Sequence, residues 1–133
     1  LRLPKMRFYG NRFAALLNRK LEVWGVTVGR FIFIRPDLFA RAPCGKLCIS
    51  KELLAHEATH AVQYQKLGLL RFLYTYLKGY WKALKSKERW DAEARTEAYL
   101  AIPHEVEARE CAAAFMIWLK ERKEGNQSAK KYE

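Results

Sequence analysis

The chain has 133 residues, which is enough for one domain with a real hydrophobic core and too short for two lobes with separate cores. Half of the residues are hydrophobic and only 7 are Gly and 4 are Pro, a composition that excludes a disordered or low-complexity protein. The formal net charge of +11 is compatible with an anionic partner. Its distribution is uneven, because basic residues concentrate in the first fifty positions and again at residues 71–89, whereas residues 91–110 are acidic and suit a cation.

The first half of the chain predicts one helix followed by short strands. Residues 11–21 place apolar side chains at helical spacing after Asn11, a good N-cap residue. Residues 23–34 are rich in β-branched and aromatic side chains around Gly29, which predicts two short strands or one bent strand. We expect a third short strand at residues 47–49.

Two helices and a charged connection are predicted next. Ser50 is the expected N-cap of a helix that ends near Gly68. Residues 69–85 place an apolar stripe opposite a basic face, a pattern typical of a long amphipathic helix. The charged residues 87–96 are expected to form a loop or a frayed helix end.

A last helix and a tail complete the predicted organisation. Pro103 is well placed as the first residue of a helix that ends near Lys120. The polar residues 126–133 are expected to be a disordered tail, which leaves residues 1–125 as a single domain. We predict an α+β fold in which a small sheet packs against the helix that Ser50 caps, with further helices around it.

The cysteines and the apolar runs indicate the compartment. Cys44, Cys48 and Cys111 are odd in number, and their spacing matches neither a paired zinc site nor a disulfide framework. The sequence shows no secretory signal and no apolar run of membrane-spanning length. We therefore expect a reduced, cytoplasmic protein, and the start at Leu1 rather than Met is compatible with a fragment of a longer chain.

The motif that carries chemistry occupies residues 56–60, which read His-Glu-Ala-Thr-His. On a helix His56 and His60 share one face, so both imidazoles can reach one tetrahedral zinc ion. Glu57 lies one residue further round, where its carboxylate can act as general base towards a zinc-activated water. The composition of the chain gives about 0.006 chance matches to this pattern. We therefore predict one zinc ion per chain.

A catalytic zinc site needs a third protein ligand, and the acidic last third of the chain offers several. In a helix that begins near Pro103, Glu105 and Glu107 point about 200 degrees apart. Glu105 shares its face with small and apolar residues, so that face can approach another helix closely. Glu107 lies on a helical face that carries both polar and apolar residues, which suits a role near the metal but not as a ligand. Glu105 is therefore the predicted ligand, and Glu107 is the alternative.

These residues resemble the zinc core of the gluzincin metallopeptidases, in which the first glutamate of a Glu-x-x-Ala stretch is the third ligand. The stretch from Glu105 to Ala108 has that form. Over roughly residues 26–115 the chain is also similar to small bacterial domains with a minimal zincin core. The shared residues include Leu-Ala-His-Glu-Ala-Thr-His-Ala-Val-Gln-Tyr at 54–64 and Ala-Ile-Pro-His-Glu-Val-Glu-Ala at 101–108. The resemblance implies a zincin-like fold and peptide hydrolysis.

Two positions depart from the pattern of these relatives. Arg109 stands where related peptidases often have Asp, and His104 stands where many minimal cores have an aromatic residue. Both changes bear on groups around the metal rather than on its ligands. Four residues are candidates to donate a hydrogen bond to the oxyanion of the tetrahedral intermediate: Tyr80, Tyr99, His104 and Arg109.

The sequence thus predicts a zinc metalloendopeptidase with a peptide or protein substrate that pairs, in extended form, with a sheet edge near residues 27–34. Two alternatives stay open. A degenerate or structural zinc-binding module would complete a closed, four-ligand site with His104 or Glu107. A basic protein of another class would bind a membrane surface through the helix at 69–85, or it would bind nucleic acid. Of these two partners, nucleic acid is the less favoured.

Overall fold

The computed structural model describes the backbone of residues 3–21 and 23–130 and the side chains of these residues up to 125. The described residues form five α-helices, one 3-10 turn at Pro36–Leu38 and two small sheets. The helices are α1 (Arg12–Leu21), α2 (Lys51–Leu67), α3 (Leu69–Lys85), α4 (Ala92–Leu100) and α5 (Pro103–Lys130). The strands are β1 (Arg7–Tyr9), β2 (Gly25–Val28), β3 (Phe31–Ile34), β4 (Ala40–Arg41) and β5 (Leu47–Cys48). The predicted α+β class is confirmed.

The larger sheet has the strand order β1-β3-β2. Strands β2 and β3 form an antiparallel hairpin whose turn contains Gly29 with a positive φ of 61°. Of the two predicted alternatives, two short strands is therefore correct and one bent strand is wrong. Strand β1 runs parallel to β3 and was not predicted, because its three residues show no alternation of apolar and polar side chains. The predicted third strand exists as β5, but it pairs with β4 in a separate two-stranded sheet.

Helix α2 begins as predicted. The Ser50 hydroxyl accepts a hydrogen bond from the Leu53 backbone amide at 3.1 Å, and Gly68, with a φ of 77°, follows the last helical residue. One face of α2 lies against β2 and another against α5. Its buried positions include the polar residues Glu57, His60 and Gln63, which a purely structural helix would place outward.

Residues 87–96 were predicted to form a loop or a frayed helix end, which holds for residues 87–91 but is wrong for residues 92–96, where α4 begins. Asp91 caps this helix, since its carboxylate accepts a hydrogen bond from the Ala94 amide at 2.7 Å. Ala94 and Ala98 are fully buried and share a hydrophobic cluster with Leu84. The sequence pattern missed this helix because only two small residues form its apolar face, and the charged residues around them dominate the local composition.

Helix α5 begins at Pro103 as predicted and continues to Lys130, beyond the expected end near Lys120. The predicted tail at 126–133 is therefore helical in backbone over 126–130, and residues 131–133 lie outside the described residues. The start of α5 lies close to α3 at Gly79, where an added Cβ would be 3.1 Å from the Pro103 Cδ. This close approach positions the first turn of α5 beside α2 and α3.

We expect Asp91→Ala to lower the free energy of unfolding by about 1 kcal/mol, because the Ala94 amide loses its acceptor at the start of α4. Asp91→Asn keeps an acceptor oxygen and should lie close to the parent. Urea unfolding followed by circular dichroism measures both variants. Equal stability of the alanine variant and the parent would contradict the cap assignment.

Candidate metal centre

Helix α2 brings the two histidines of the motif together. His56 and His60 lie one helical turn apart, and their Nε2 atoms are 3.1 Å apart, with a ring-centroid separation of 4.8 Å. His60 is buried and His56 is half-buried. Because an α-helix places residues four apart on one face, this convergence follows from local geometry alone.

Glu105 reaches the same point from the first turn of α5. Its Oε2 lies 3.2 Å from the His56 Nε2, and its Oε1 lies 3.2 Å from the His60 Nε2. The ligand atoms of these three residues all lie within 4.8 Å of one another, and Glu105 is only 3% exposed. His56, His60 and Glu105 are therefore close enough to hold one metal ion.

The chemistry of the three side chains fits a metal. The Glu105 Oε2 is buried without a hydrogen-bond partner among the described residues, since its contact with His56 lacks hydrogen-bond alignment. A buried carboxylate oxygen without a partner is costly, and a cation would satisfy it. Two imidazole nitrogens and one carboxylate are a donor set that suits zinc and related divalent ions.

The charges of the cluster favour an ionised carboxylate. Burial alone would raise the pKa of Glu105, but its contacts with His56, His60 and the Tyr76 hydroxyl outweigh burial and lower the pKa far below the usual range. Burial disfavours the charged form of His60, yet the Glu105 carboxylate outweighs it and raises the His60 pKa. Glu105 is thus present as an anion at neutral pH.

A second layer of hydrogen bonds orients His60. The Gln63 Nε2 donates to the Glu107 Oε2 at 2.7 Å and to the His104 carbonyl at 3.1 Å. Because the Gln63 amide nitrogen faces two acceptors, the orientation of the amide group is fixed. The Gln63 amide oxygen, Oε1, is therefore the atom that lies 2.9 Å from the His60 Nδ1. Since a carbonyl oxygen only accepts, the His60 Nδ1 donates, and in the neutral imidazole this tautomer leaves the Nε2 lone pair on the side of the cluster.

Glu107 and His104 lie outside the cluster. Glu107 is exposed and contacts Gln63 rather than either histidine of α2. The His104 Nε2 lies 2.8 Å from the Thr75 hydroxyl, and its ring stacks on Phe72 with centroids 4.7 Å apart. Among the described residues neither joins the candidate metal group, and the helix register agrees with the predicted separation of Glu105 from Glu107.

Glu57 lies on the side of α2 that faces the sheet. It is 2% exposed, and its Oε2 accepts a hydrogen bond from the Thr27 hydroxyl of β2 at 2.6 Å. A Cβ added at Gly25 would lie 2.4 Å from the Glu57 Oε1, so glycine makes room for the carboxylate. Burial raises the pKa of Glu57, and the Thr27 hydrogen bond and the two histidines reduce this effect only in part.

The remaining predicted residues take different positions. Tyr99 is half-buried, and burial and the nearby charge of Glu105 raise its pKa, so its hydroxyl stays protonated. A guanidinium nitrogen of Arg109 donates to the Leu100 carbonyl at the end of α4. Tyr80 packs against the hydrophobic cluster of α3 and α4. The influence of the Glu105 charge on its pKa places Tyr99 near the cluster.

Three side chains that bond directly to the site residues were not predicted from the sequence: Tyr76, Thr27 and Gln63. The Tyr76 hydroxyl donates to the Glu105 Oε1 at 2.7 Å, and Thr27 donates to Glu57 as described. No local signal identifies either one, because each is far along the chain from its partner. Gln63 could have been found, since it follows His60 by three residues on the same helical face.

The eCIS core domain model (extracellular contractile injection system core) matches residues 2–68, which are 67 of the 133 residues. The matched stretch includes the sheets and the whole of α2 with His56, Glu57 and His60, whereas α5 with Glu105 lies outside it. No model of a zincin peptidase family matches the chain, so the gluzincin resemblance stays a hypothesis. No curated protein and no solved structure matches the chain.

The geometry predicts a sharp difference between the two glutamates of α5. Glu105→Ala should weaken zinc affinity by orders of magnitude, because it removes a carboxylate from the cluster. Glu107→Ala should weaken it by roughly 10 to 100-fold at most, through Gln63 and His60. The measurement is a competitive titration of zinc against a chromogenic chelator.

Glu110→Ala, at an exposed glutamate of the same helix, is the control and should bind zinc like the parent. The parent itself should take up about one zinc ion per chain, as measured by elemental analysis. Loss of zinc in Glu107→Ala with retention in Glu105→Ala would contradict the ligand assignment.

Proposed function

The chain belongs to the eCIS core domain family, and we propose that it is a zinc-dependent metallopeptidase that hydrolyses peptide bonds. The observation that carries this proposal is the convergence of His56, His60 and Glu105 beside a buried glutamate, Glu57, on the same helix. Such a site combines a metal-binding group with a residue able to move a proton.

Zinc is the metal proposed for this group, because two neutral imidazoles and one carboxylate match catalytic zinc sites, which keep one position open. His56, His60 and Glu105 would hold it. When bound, zinc supplies a Lewis acid that lowers the pKa of water and polarises a carbonyl group. The hydrogen bond from the His60 Nδ1 to Gln63 supports this role, since it leaves the Nε2 lone pair for the metal.

Glu57 is the proposed general base. The buried setting that raises its pKa makes the carboxylate a better proton acceptor at neutral pH than an exposed glutamate. The Thr27 hydroxyl holds one carboxylate oxygen, Oε2, and the other, Oε1, has no hydrogen bond among the described residues and lies beside Gly25 of β2, where it would exchange the proton. Glu57 would take a proton from the attacking water and later pass it to the leaving amine, without a covalent intermediate.

Strand β2 is the proposed binding surface for an extended peptide. It is the terminal strand in the order β1-β3-β2, and it lies against α2, where Glu57 contacts Thr27 and Gly25. A peptide or protein substrate would add to this edge by β-augmentation. Tyr99, with a hydroxyl that stays protonated, is the favoured donor to the developing oxyanion.

A second candidate is a non-catalytic zinc module within the same family. The specific observation in its favour is the burial of Glu57, which is 2% exposed and bonded to Thr27. In such a module Glu57 would tie α2 to the sheet, and the metal would tie α2 to α5. The two candidates differ in what substitution of Glu57 does.

For the peptidase, Glu57→Gln should retain zinc and the folded state while casein hydrolysis falls by at least about 100-fold, because an amide cannot take the proton. Hydrolysis is followed by release of a fluorescent label from casein. His56→Ala is the companion variant and should lose both zinc and activity. If the parent cleaves neither casein nor a library of labelled peptides while zinc is bound, the non-catalytic module is favoured.

Thr27→Val should move the acidic limb of the pH profile of kcat/KM to higher pH. The Thr27 hydrogen bond lowers the pKa of Glu57, so its removal raises that pKa, and the base is then ionised only at higher pH. Thr27→Ser keeps the hydroxyl and should show the parent profile. An unchanged acidic limb in the valine variant would show that Glu57 is not the titrating base.

A further inference from the structure

Helix α3 presents an apolar stripe to solvent. Leu70, Tyr74, Leu77 and Trp81 follow one another at spacings of four, three and four residues, which places them on one helical face. Leu70 is 81% exposed and Trp81 is 50% exposed, with the other two between these values. Trp90 lies beside Trp81, with ring centroids 6.0 Å apart, and extends the stripe. A contiguous exposed apolar surface of this kind marks an interaction site.

A different face of α3 holds the helix to the protein. Phe72 is buried on that face, and Tyr76 donates its hydrogen bond to Glu105. Leu84 lies seven residues after Leu77 on the face of the stripe, and its burial against Ala94 and Ala98 of α4 marks the end of the exposed part. The sequence pattern could not separate the two faces, because both are rich in leucine and aromatic residues. Leu77 and Trp81, which a core-facing stripe would bury, are in fact exposed.

A row of basic side chains runs beside the exposed stripe. It consists of Arg71, Lys78, Lys82 and Lys85, and α3 contains no Asp or Glu. Within the part of the chain that the structure describes, no salt bridge joins these four residues to an acidic group. Their positive charge is therefore not neutralised by ion pairs among the described residues, and the Lys78 Nζ lies 5.8 Å from the centroid of the Tyr74 ring in the stripe.

We propose that the exposed face of α3 binds the surface of an anionic lipid bilayer. An apolar stripe beside a basic row matches the two regions of such a surface, since apolar side chains enter the acyl boundary and the lysines meet the headgroups. Tyr74 and Trp81 supply the amphipathic rings that prefer this boundary. The helix would lie in the plane of the surface, consistent with the finding that none of the described helices is long and apolar enough to span a membrane.

The charge pattern is what favours a bilayer over another protein, and α5 shows the contrast. Ile117 and Trp118 on α5 are also exposed. The residues that follow, 120–124, carry both signs, as Lys, Glu, Arg, Lys and Glu, so they offer no uniform charge to an anionic surface. Trp118 is 48% exposed, close to the 50% of Trp81, which makes it a matched control.

The test is co-sedimentation of the full chain with vesicles of phosphatidylcholine, with and without phosphatidylglycerol. We expect binding to the anionic vesicles only, with a blue shift of tryptophan fluorescence. Leu77→Gln with Trp81→Gln should abolish binding, whereas Ile117→Gln with Trp118→Gln should leave it at the parent level. Because all four residues are exposed, both double variants should unfold at the parent temperature.

A charge variant tests the electrostatic half of the proposal. Lys78→Gln with Lys82→Gln should lower partitioning into anionic vesicles by about 25-fold, because each lysine removed should lower it about fivefold. Added salt should weaken binding of the parent more than that of this variant. Both results support contact between the basic row and the headgroups.

Three outcomes would overturn the proposal. One is the absence of any binding to the anionic vesicles. Another is an equal loss of binding in the α3 and α5 double variants, which would indicate non-specific adsorption. The third is the absence of vesicle binding together with a dimer in sedimentation velocity that the double variant Leu77→Gln with Trp81→Gln no longer forms. This result would assign the face to a second copy of this chain.

Discussion

The approach of Glu105 to the two histidines of α2 is the contact on which the rest of the centre depends. It places a carboxylate, with one oxygen lacking a hydrogen-bond partner, at the junction of α2 and α5. Such a group opposes folding unless a cation satisfies it, so the binding of a metal here would be thermodynamically coupled to the docking of α5. Helices α2 and α5 pack against each other, and their buried positions include the small residues Ala61 on α2 and Ala108 and Ala112 on α5. Larger side chains there would keep the carboxylate away from the imidazoles.

The two glutamates of the centre behave in opposite ways although both are buried. Glu105 is surrounded by imidazoles and a tyrosine hydroxyl, which stabilise its charge and lower its pKa. Glu57 lies against β2 with one hydroxyl donor, so burial dominates and raises its pKa. Groups whose environments push their pKa values apart are typical of sites in which one carboxylate holds charge and the other moves a proton. The same burial also lets Glu57 hold α2 to the sheet, which is why the catalytic and structural candidates share one geometry.

Helix α3 connects the centre to the surface. Its inner face carries Tyr76, which bonds to Glu105, and Thr75, which contacts His104. Its outer face carries the exposed stripe and the basic row. Because both faces belong to one rigid helix, a partner that binds the outer face holds the element that supports Glu105. The family match ends at residue 68, so it covers neither this helix nor Glu105.

The sequence by itself determined the local features: the cap at Ser50, the pairing of His56 with His60, and the separation of Glu105 from Glu107 on α5. Each of these depends on residues within a few positions of one another, where helical geometry converts spacing into direction. Only the tertiary structure decided the rest of the centre. Tyr76 lies 29 residues from its partner, and Thr27 lies 30 residues from its own. Spacing along the chain holds no information about such contacts, because the packing of separate elements brings them together.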